Sequence, residues 1–203
     1  MKKEILGILC SGNGSNLQAI LDAIQRGDLE TTVGIVLSDN PKAMALQRAQ
    51  KAGVPYVCVD RKCYATREAF EAALLKELQA HKVTVVILAG FMRILSGQFV
   101  QAYRNKILNL HPSLLPSFVG AHAYQDALAY GAKVTGCTVH FVDENLDAGP
   151  IILQKAVPIR EDDTPETLIA RIHEQEHLLF PQAIALLLAD KLRIEGRRVH
   201  ILP

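Results

Sequence analysis

The sequence predicts an α/β fold built as a single doubly wound, mostly parallel mixed sheet with helices on both faces. Three observations carry that expectation. Short β-branched runs alternate with amphipathic stretches through the first half of the chain. The run VTVVILA at residues 83–89 is apolar on both alternating faces, as suits a central parallel strand covered by helices on both sides. Two later strand patterns follow each other too closely for a parallel crossover, which needs about a dozen residues or more, so antiparallel pairing enters the sheet.

In order, the β-branched runs at residues 4–10, 32–38, 54–60 and 83–89 are expected as strands, and the amphipathic stretches at 16–25, 42–52 and 66–80 as the helices between them. After Gly90 the pattern loosens into residues 96–103, and a short strand at 106–110 and a loop rich in proline and histidine at 111–122 follow. A helix at 123–130 is closed by Gly131. Residues 134–143 and 151–157 read as the two antiparallel strands. The polar start Asp163-Thr164-Pro165-Glu166 opens a helix to about residue 189, which Pro181 should kink or interrupt. Residues 192–202 read as a closing pair of short strands around Glu195-Gly196-Arg197.

A length of 203 residues is enough for a sizeable core and fits one domain, residues 1–203, with no Ser/Gly-rich linker, repeat or low-complexity tract to divide it. With 49% hydrophobic and 21% charged residues the chain is an ordinary globular protein. A net charge of +1 gives no reason to expect nucleic acid or an anionic membrane as partner. The first ten residues carry two lysines and an apolar run, but Ser11-Gly12-Asn13-Gly14 interrupts it before a signal-peptide core or membrane span is complete. The four cysteines, Cys10, Cys58, Cys63 and Cys137, form no CxxC pair and read as small buried hydrophobes in a reducing compartment.

Four motifs have functional readings beside structural ones. Residues 11–18, SGNGSNLQ, stand between a strand and a helix, where glycines let the backbone approach a ligand and first-turn amides attract an anion. The structural alternative is a capping box formed by Ser15 and Gln18. The stretch also approaches GxGxxG, and Asp39 follows the second strand, as a nicotinamide-dependent oxidoreductase would require; Leu17, however, occupies the third glycine position. His173-Glu174-Gln175-Glu176-His177 fits the zinc pattern HExxH, yet no third ligand follows at the usual spacing and the same helix must supply Leu168, Ile172 and Leu179 to the core.

The most informative block is Asn109-Leu110-His111-Pro112, just after a strand, followed further on by Leu146-Asp147-Ala148-Gly149-Pro150. Period two puts Asn109 and His111 on one side if the strand reaches His111, and Pro112 favours an extended His111. A lone histidine is usually structural and an Asp before Ala-Gly-Pro usually forms a turn. Together, an amide, an imidazole and a carboxylate make an acid/base and oxyanion-stabilising set suited to acyl-type transfer.

The segments SGNGSNLQAI (11–20), TREAF (66–70), LAGFMRILS (88–96), NLHPSLLPSF (109–118), GCTVHFVDENLDAGPIILQ (136–154) and QEHLLFP (175–181) resemble the phosphoribosylglycinamide formyltransferase family, folate-dependent enzymes of purine synthesis, across nearly the whole chain. That resemblance implies the formyltransferase fold with a Rossmann-like first half, residues 1–90 binding nucleotide phosphate and residues 91–203 binding folate and carrying the catalytic groups. It implies transfer of the formyl group of 10-formyltetrahydrofolate, the co-substrate, to the amino group of glycinamide ribonucleotide, without a metal. Asn109, His111 and Asp147 would be the catalytic trio. Gly14, Ser15, Asn16 and Glu176 would hold glycinamide ribonucleotide. Arg67, Met92, Arg93, Ile94, Leu95, Asn109, Asp143, Glu144, Asn145, Leu146 and Asp147 would line the folate site, with the apolar members walling a flat heteroaromatic ring.

The family resemblance further implies small-molecule substrates, no nucleic acid or membrane partner, a monomer or homodimer, and a cytoplasmic enzyme. Residues 117–125 also resemble formyltetrahydrofolate deformylase, which shares the Asn, His and Asp. The absence of a preceding regulatory domain, together with GNGSN, favours transfer over hydrolysis. Methionyl-tRNA formyltransferase shares the trio too, but usually carries a further RNA-binding domain. A non-catalytic folate or nucleotide binder is a different kind of alternative, against which the intact trio argues.

Overall fold

The computed structural model describes residues 4–203; the first three residues of the expected amino-terminal stretch lie outside the described residues. The chain packs as two compact units, Met1–Leu108 and Asn109–Pro203. The α/β class and the mixture of parallel and antiparallel pairing are those expected from the sequence.

The first unit alternates strands and helices: β1 (Ile5–Cys10), α1 (Ser15–Arg26), β2 (Thr32–Ser38), α2 (Met44–Lys51), β3 (Tyr56–Cys58), α3 (Arg67–Ala80), β4 (Val85–Leu88) and α4 (Gly97–Ala102), with β5 (Ile107–His111) beginning at its end. Four strands stand in the order β3-β2-β1-β4, and every pair between them is parallel. Strand direction of travel therefore reverses at β1, and the carboxyl ends of β1 and β4 lie side by side. In open α/β sheets a crevice forms at such a reversal, and ligands bind there.

The core follows from the patterns. Leu6, Ile8 and Leu9 of β1, Ile35, Val36 and Leu37 of β2, and Val85, Val86 and Ile87 of β4 are buried, as two-sided apolar strands must be. α1 buries Leu17, Ile20 and Ala23, one side chain per turn, and ends at Gly27, whose left-handed backbone lets its N–H reach back to Ala23 and Ile24. Each large apolar side chain so buried stabilises the fold by about 1.5–3 kcal/mol. The expected strand at 54–60 shrinks to Tyr56–Cys58, because β3 pairs only with β2 and has little sheet to propagate against.

The second unit contains α5 (Ala123–Tyr130), β6 (Val134–Phe141), β7 (Ile151–Pro158), α6 (Pro165–Leu188), β8 (Leu192–Glu195) and β9 (Arg198–Ile201). Its strands follow the order β6-β7-β9-β8: β6 and β7 are antiparallel, β9 meets β7 in parallel, and β8 and β9 close an antiparallel hairpin. Thr164 caps α6 by accepting from Thr167 N–H while the Thr167 hydroxyl accepts from Thr164 N–H, and Pro165 takes the first helical position.

Pro181 does not interrupt α6, contrary to expectation. Losing one helical hydrogen bond and accommodating the ring costs roughly 3 kcal/mol. The helix side that includes Leu179, Phe180, Pro181, Ala183 and Ile184 is buried, with α6 packed on β6 and β7, and that burial holds the helix through the proline. The cysteines also divide against expectation. Cys10 and Cys137 are buried, and burial pushes both thiols up to about 12. Cys58 and Cys63 are exposed, since short β3 and the turn after it cover neither.

Candidate active site

In the first unit the turn after β1 meets the segment after β4. Ser11 N–H donates to Gly90 O at 3.0 Å, and Met92 N–H donates to Ser11 Oγ at 2.9 Å. The glycine turn and the Met92–Leu95 segment are thus tied at the crevice that the strand order creates. Gly14, at φ +75°, is the N-cap of α1, and no side chain caps the helix. The capping box expected from Ser15 and Gln18 does not form, because Gln18 turns along the helix and donates from Nε2 to Asp22 Oδ1 at 2.9 Å. A helix start without a side-chain acceptor is the arrangement that suits an anionic ligand.

Met92 and Ile94 are exposed, whereas Leu95 is buried in the core and does not wall an open site. Arg93 Nε lies 2.6 Å from Asp39 Oδ2. Asp39, the acidic residue after the second strand that a nicotinamide-dependent oxidoreductase would require, is buried and occupied by this arginine. Arg67 Nε donates to the buried Glu71 carboxylate at 3.0 Å, and Glu71 also accepts from Ser96 N–H at 2.8 Å and from the Ser96 hydroxyl. Both ends of the Met92–Leu95 segment are therefore anchored by polar contacts while two apolar side chains project outward.

The second unit brings the proposed trio together. Asn109 and His111 follow period two along β5, as the spacing predicted, and His111 is buried. Its Nε2–H donates to Phe118 O at 2.9 Å, and its Nδ1 stands 3.4 Å from Asp147 Oδ2. Both ring nitrogens thus face oxygen atoms. Phe118 adopts φ +52°, an outlier for a bulky residue that costs about 1–3 kcal/mol; its ring packs edge-on against Tyr130 at 5.9 Å, and its carbonyl orients the imidazole.

Asp147 also sits in the left-handed region, at φ +48°, where aspartate is tolerated better than most residues. Its Oδ2 accepts from Gly120 N–H at 3.0 Å, which joins the two loops that carry His111 and Asp147. The loop before it opens with Asn145 N–H bonded to Asp143 Oδ1 at 2.8 Å and closes where Phe141 N–H donates to Pro150 O at 2.9 Å. Below His111, Thr138 Oγ1 accepts from Leu115 N–H and donates to Ser113 O, at 3.1 and 2.7 Å, so β6 holds the Pro-rich loop in place.

One residue of the constellation escaped the sequence reading. His140, fully enclosed on β6, donates from Nδ1 to Phe141 O at 2.8 Å, which leaves Nε2 to accept from Asn109 Nδ2 at 3.1 Å. The Asn109 amide is thereby oriented with its nitrogen toward His140 and its second N–H available. A register shift between Val139 and His140 lets this residue leave the regular ladder, as bulges beside functional sites commonly do. The available signal was Thr138 and His140, two polar residues at alternate positions of a strand that also carries Thr135.

Burial pushes the His140 pKa down, opposed by the Phe141 carbonyl and Asp147, reinforced by His111, and opposed again by Asp143. A histidine with a folded pKa below its unfolded value of 6.5 contributes stability that is complete above that value and is lost as pH falls through the folded pKa. Below pH 6.5, the unfolding free energy is expected to decline more steeply for the native sequence than for His140→Gln, by up to about 1.4 kcal/mol per pH unit. Parallel curves from urea unfolding at pH 5 to 8 would remove His140 from this role.

Glu176 is buried on α6, 3.8 Å from His173 Nε2, and His173 and His177 stack at 6.2 Å. Among the described residues no group of three histidine, cysteine or acidic side chains is placed to hold a metal, and within the HExxH pattern Glu174 is exposed while Glu176 is buried. Nor is any helix of the described residues long and apolar enough to cross a membrane.

Comparison with known proteins places these features in a family. Residues 5–184 match the family described as formyl transferase. The chain is 48% identical over 197 residues to the trifunctional purine biosynthetic protein adenosine-3 of Chironomus tentans, covering 96% of this chain but 14% of that much longer protein. It is 43% identical over 188 residues to phosphoribosylglycinamide formyltransferase of Bacillus subtilis, covering 93% of this chain and 95% of that one. Glycinamide ribonucleotide transformylase 1 from Symbiobacterium toebii superimposes with a TM-score of 0.97 at 50% identity, over 99% of this chain and 95% of that one. A formyltetrahydrofolate deformylase from Pseudomonas syringae shares the fold, with a TM-score of 0.91, at 28% identity and over 67% of its own length. With the trio assembled and likeness of this extent, the chain belongs to the formyl transferase family, among the phosphoribosylglycinamide formyltransferases.

Proposed function

We propose that this chain transfers the formyl group of 10-formyltetrahydrofolate to the amino group of glycinamide ribonucleotide, yielding formylglycinamide ribonucleotide and tetrahydrofolate in purine synthesis. The observation that carries the reading is the polar cluster of Asn109, His111, His140 and Asp147, with the two histidines buried and Asn109 and Asp147 half-buried beside them. The nearly full-length match to a Bacillus subtilis phosphoribosylglycinamide formyltransferase supports it.

The chemistry follows from the donors. An α-amino group with a pKa of about 7.7–8.0 is partly neutral near pH 7, so attack on the formyl carbon needs no strong base. Attack places negative charge on the formyl oxygen and positive charge on the incoming nitrogen. His111 has Nε2–H engaged with Phe118, so the hydrogen it offers the oxyanion is on Nδ1, beside the Asp147 carboxylate. The free N–H of Asn109 is the second donor. Asp147 is also the acceptor that relays a proton from the attacking nitrogen toward N10 of the folate, through water. None of these steps uses a metal.

Gly14, Ser15, Asn16 and Glu176 belong to the acceptor side of this reading, and the uncapped start of α1 supports a phosphate there. Arg67, Met92, Arg93 and Ile94 with residues 143–147 belong to the folate side, supported by the outward Met92 and Ile94 on a braced segment. Leu95 contributes through its backbone, since its side chain is core. A reducing, cytoplasmic setting agrees with four free cysteines.

The deciding assay incubates purified protein with 10-formyltetrahydrofolate, with and without glycinamide ribonucleotide, in the presence of EDTA. Tetrahydrofolate is expected only when the acceptor is present. Release without it would assign the chain to the hydrolases, and loss of activity on chelation would overturn the metal-free scheme.

A further inference from the structure

The glycine turn of the first unit is braced from behind by α2. Arg48 donates from Nε to Asn13 O at 2.9 Å and from Nη2 to Asn13 Oδ1 at 2.8 Å, a forked grip on one residue. Its Nη1 donates to Gln18 Oε1 at 3.3 Å, and Gln18 in turn holds Asp22. One turn earlier on α2, Ala45 N–H donates to Gly12 O at 3.2 Å. Gly14 lies so close to α2 that an added Cβ would stand 2.8 Å from Ala45 Cβ and 2.9 Å from its Cα.

These contacts decide which way the turn's amides face. In a planar trans peptide the carbonyl and the following N–H point in opposite directions. With Gly12 O drawn to Ala45 and Asn13 O drawn to Arg48, the N–H groups of Asn13 and Gly14 are both turned away from α2. Successive amides turned to one side beside a left-handed residue form a concavity suited to an anion. Without the guanidinium, the Asn13 carbonyl and side-chain oxygens would be free to rotate toward that anion and repel it.

We infer that Arg48 is a positioning residue for phosphate selection: by holding the two Asn13 oxygens on α2 it fixes the glycine turn with its amides toward the acceptor's phosphate. The inference rests on the phosphate reading of Gly14, Ser15 and Asn16. It gives the second helix a functional task, and it makes the discrimination between phosphorylated and unphosphorylated acceptors depend on a side chain that does not touch the reacting atoms. Lysine cannot reproduce the fork, because its ammonium offers a point charge on a flexible stem.

The test compares the native sequence with Arg48→Gln and Arg48→Lys, using glycinamide ribonucleotide and its dephosphorylated nucleoside as acceptors at saturating 10-formyltetrahydrofolate. In Arg48→Gln the KM for the nucleotide is expected to rise about tenfold or more, as loss of a charged hydrogen-bond pair implies. The KM for folate and the kcat should stay within about twofold, and the nucleoside should be used as before. Arg48→Lys should fall between, and it serves as the test should the glutamine variant not fold. An unchanged preference for the phosphorylated acceptor in the folded variants would overturn the inference while leaving the phosphate reading intact. Equal use of both acceptors by the native sequence would overturn both. A rise in both KM values, or a matching fall in kcat, would show general loosening of the fold and count against the assignment.

Discussion

His111→Asn is expected to lower kcat by about 100- to 1000-fold, the effect of removing one preorganised oxyanion donor from an enclosed site. The imidazole is buried, and its orientation is imposed by the Phe118 carbonyl. Asparagine keeps a polar group on β5 but removes the imidazole that Asp147 faces at 3.4 Å. The Phe118 carbonyl loses a partner, which costs about 1–3 kcal/mol of stability, against about 2.7–4 kcal/mol for the activity loss expressed as free energy. Asp147→Asn retains an acceptor for Gly120 N–H but not the charge, and Asn109→Ala removes the donor that His140 orients. Both are expected to reduce kcat with little change in the unfolding midpoint. Near-native turnover in all three folded variants would dissolve the trio.

The largest effect on structure is expected at Gly149. A Cβ built there would stand 1.8 Å from Phe141 O and 2.8 Å from Phe141 C, both backbone atoms that no side-chain rotation can move aside. Gly149→Ala must therefore part the strands where Phe141 N–H meets Pro150 O, beyond the roughly 1–3 kcal/mol usual for overpacking. Asp147 is two residues away on the displaced loop. A shift of about 1 Å in a reacting group costs about 100-fold in rate, so activity should fall by that order even at temperatures where the variant is folded. Unfolding in urea gives the first quantity and single-turnover formyl transfer the second. A variant as stable and active as the native sequence would mean that the β6–β7 closure does not position Asp147.

The two predictions depend on features that were unequally visible before the structure. Asn109 and His111 were legible because strand periodicity is a local property: two positions apart on β5 means the same side, whatever else surrounds them. Asp147 was legible only in combination with Asn109 and His111, since an aspartate before Ala-Gly-Pro is by itself an ordinary turn former. His140 lay inside a quoted motif and still went unassigned, because its task depends on a register shift and on an asparagine 31 residues earlier. Leu95 was expected beside the ring and is core, while its neighbours Met92 and Ile94 face outward. Apolar letters in a loop do not say which of them the backbone turns inward.

Two helix features depart from what local spacing alone suggests, each for its own reason. Ser15 and Gln18 have capping-box spacing, but Gly14 in the left-handed region becomes the N-cap, and the serine cannot occupy both positions. Pro181 is a helix breaker by local preference, yet burial of the surrounding turn against β6 and β7 outweighs the lost bond.

Alternating periodicities, glycine and proline at turns, and two-sided apolar strands were enough to specify the α/β class, the order of its elements and the chemical types gathered after β5. Those are properties of neighbours in the chain, within reach of one helical turn or one strand. The orientation of Asn109 by His140, the occupation of Asp39 by Arg93 and the grip of Arg48 on Asn13 join residues 31, 54 and 35 positions apart. Such pairs exist only once the strands have taken their places, because a hydrogen bond needs its partners within about 3 Å, and folding alone brings distant residues that close.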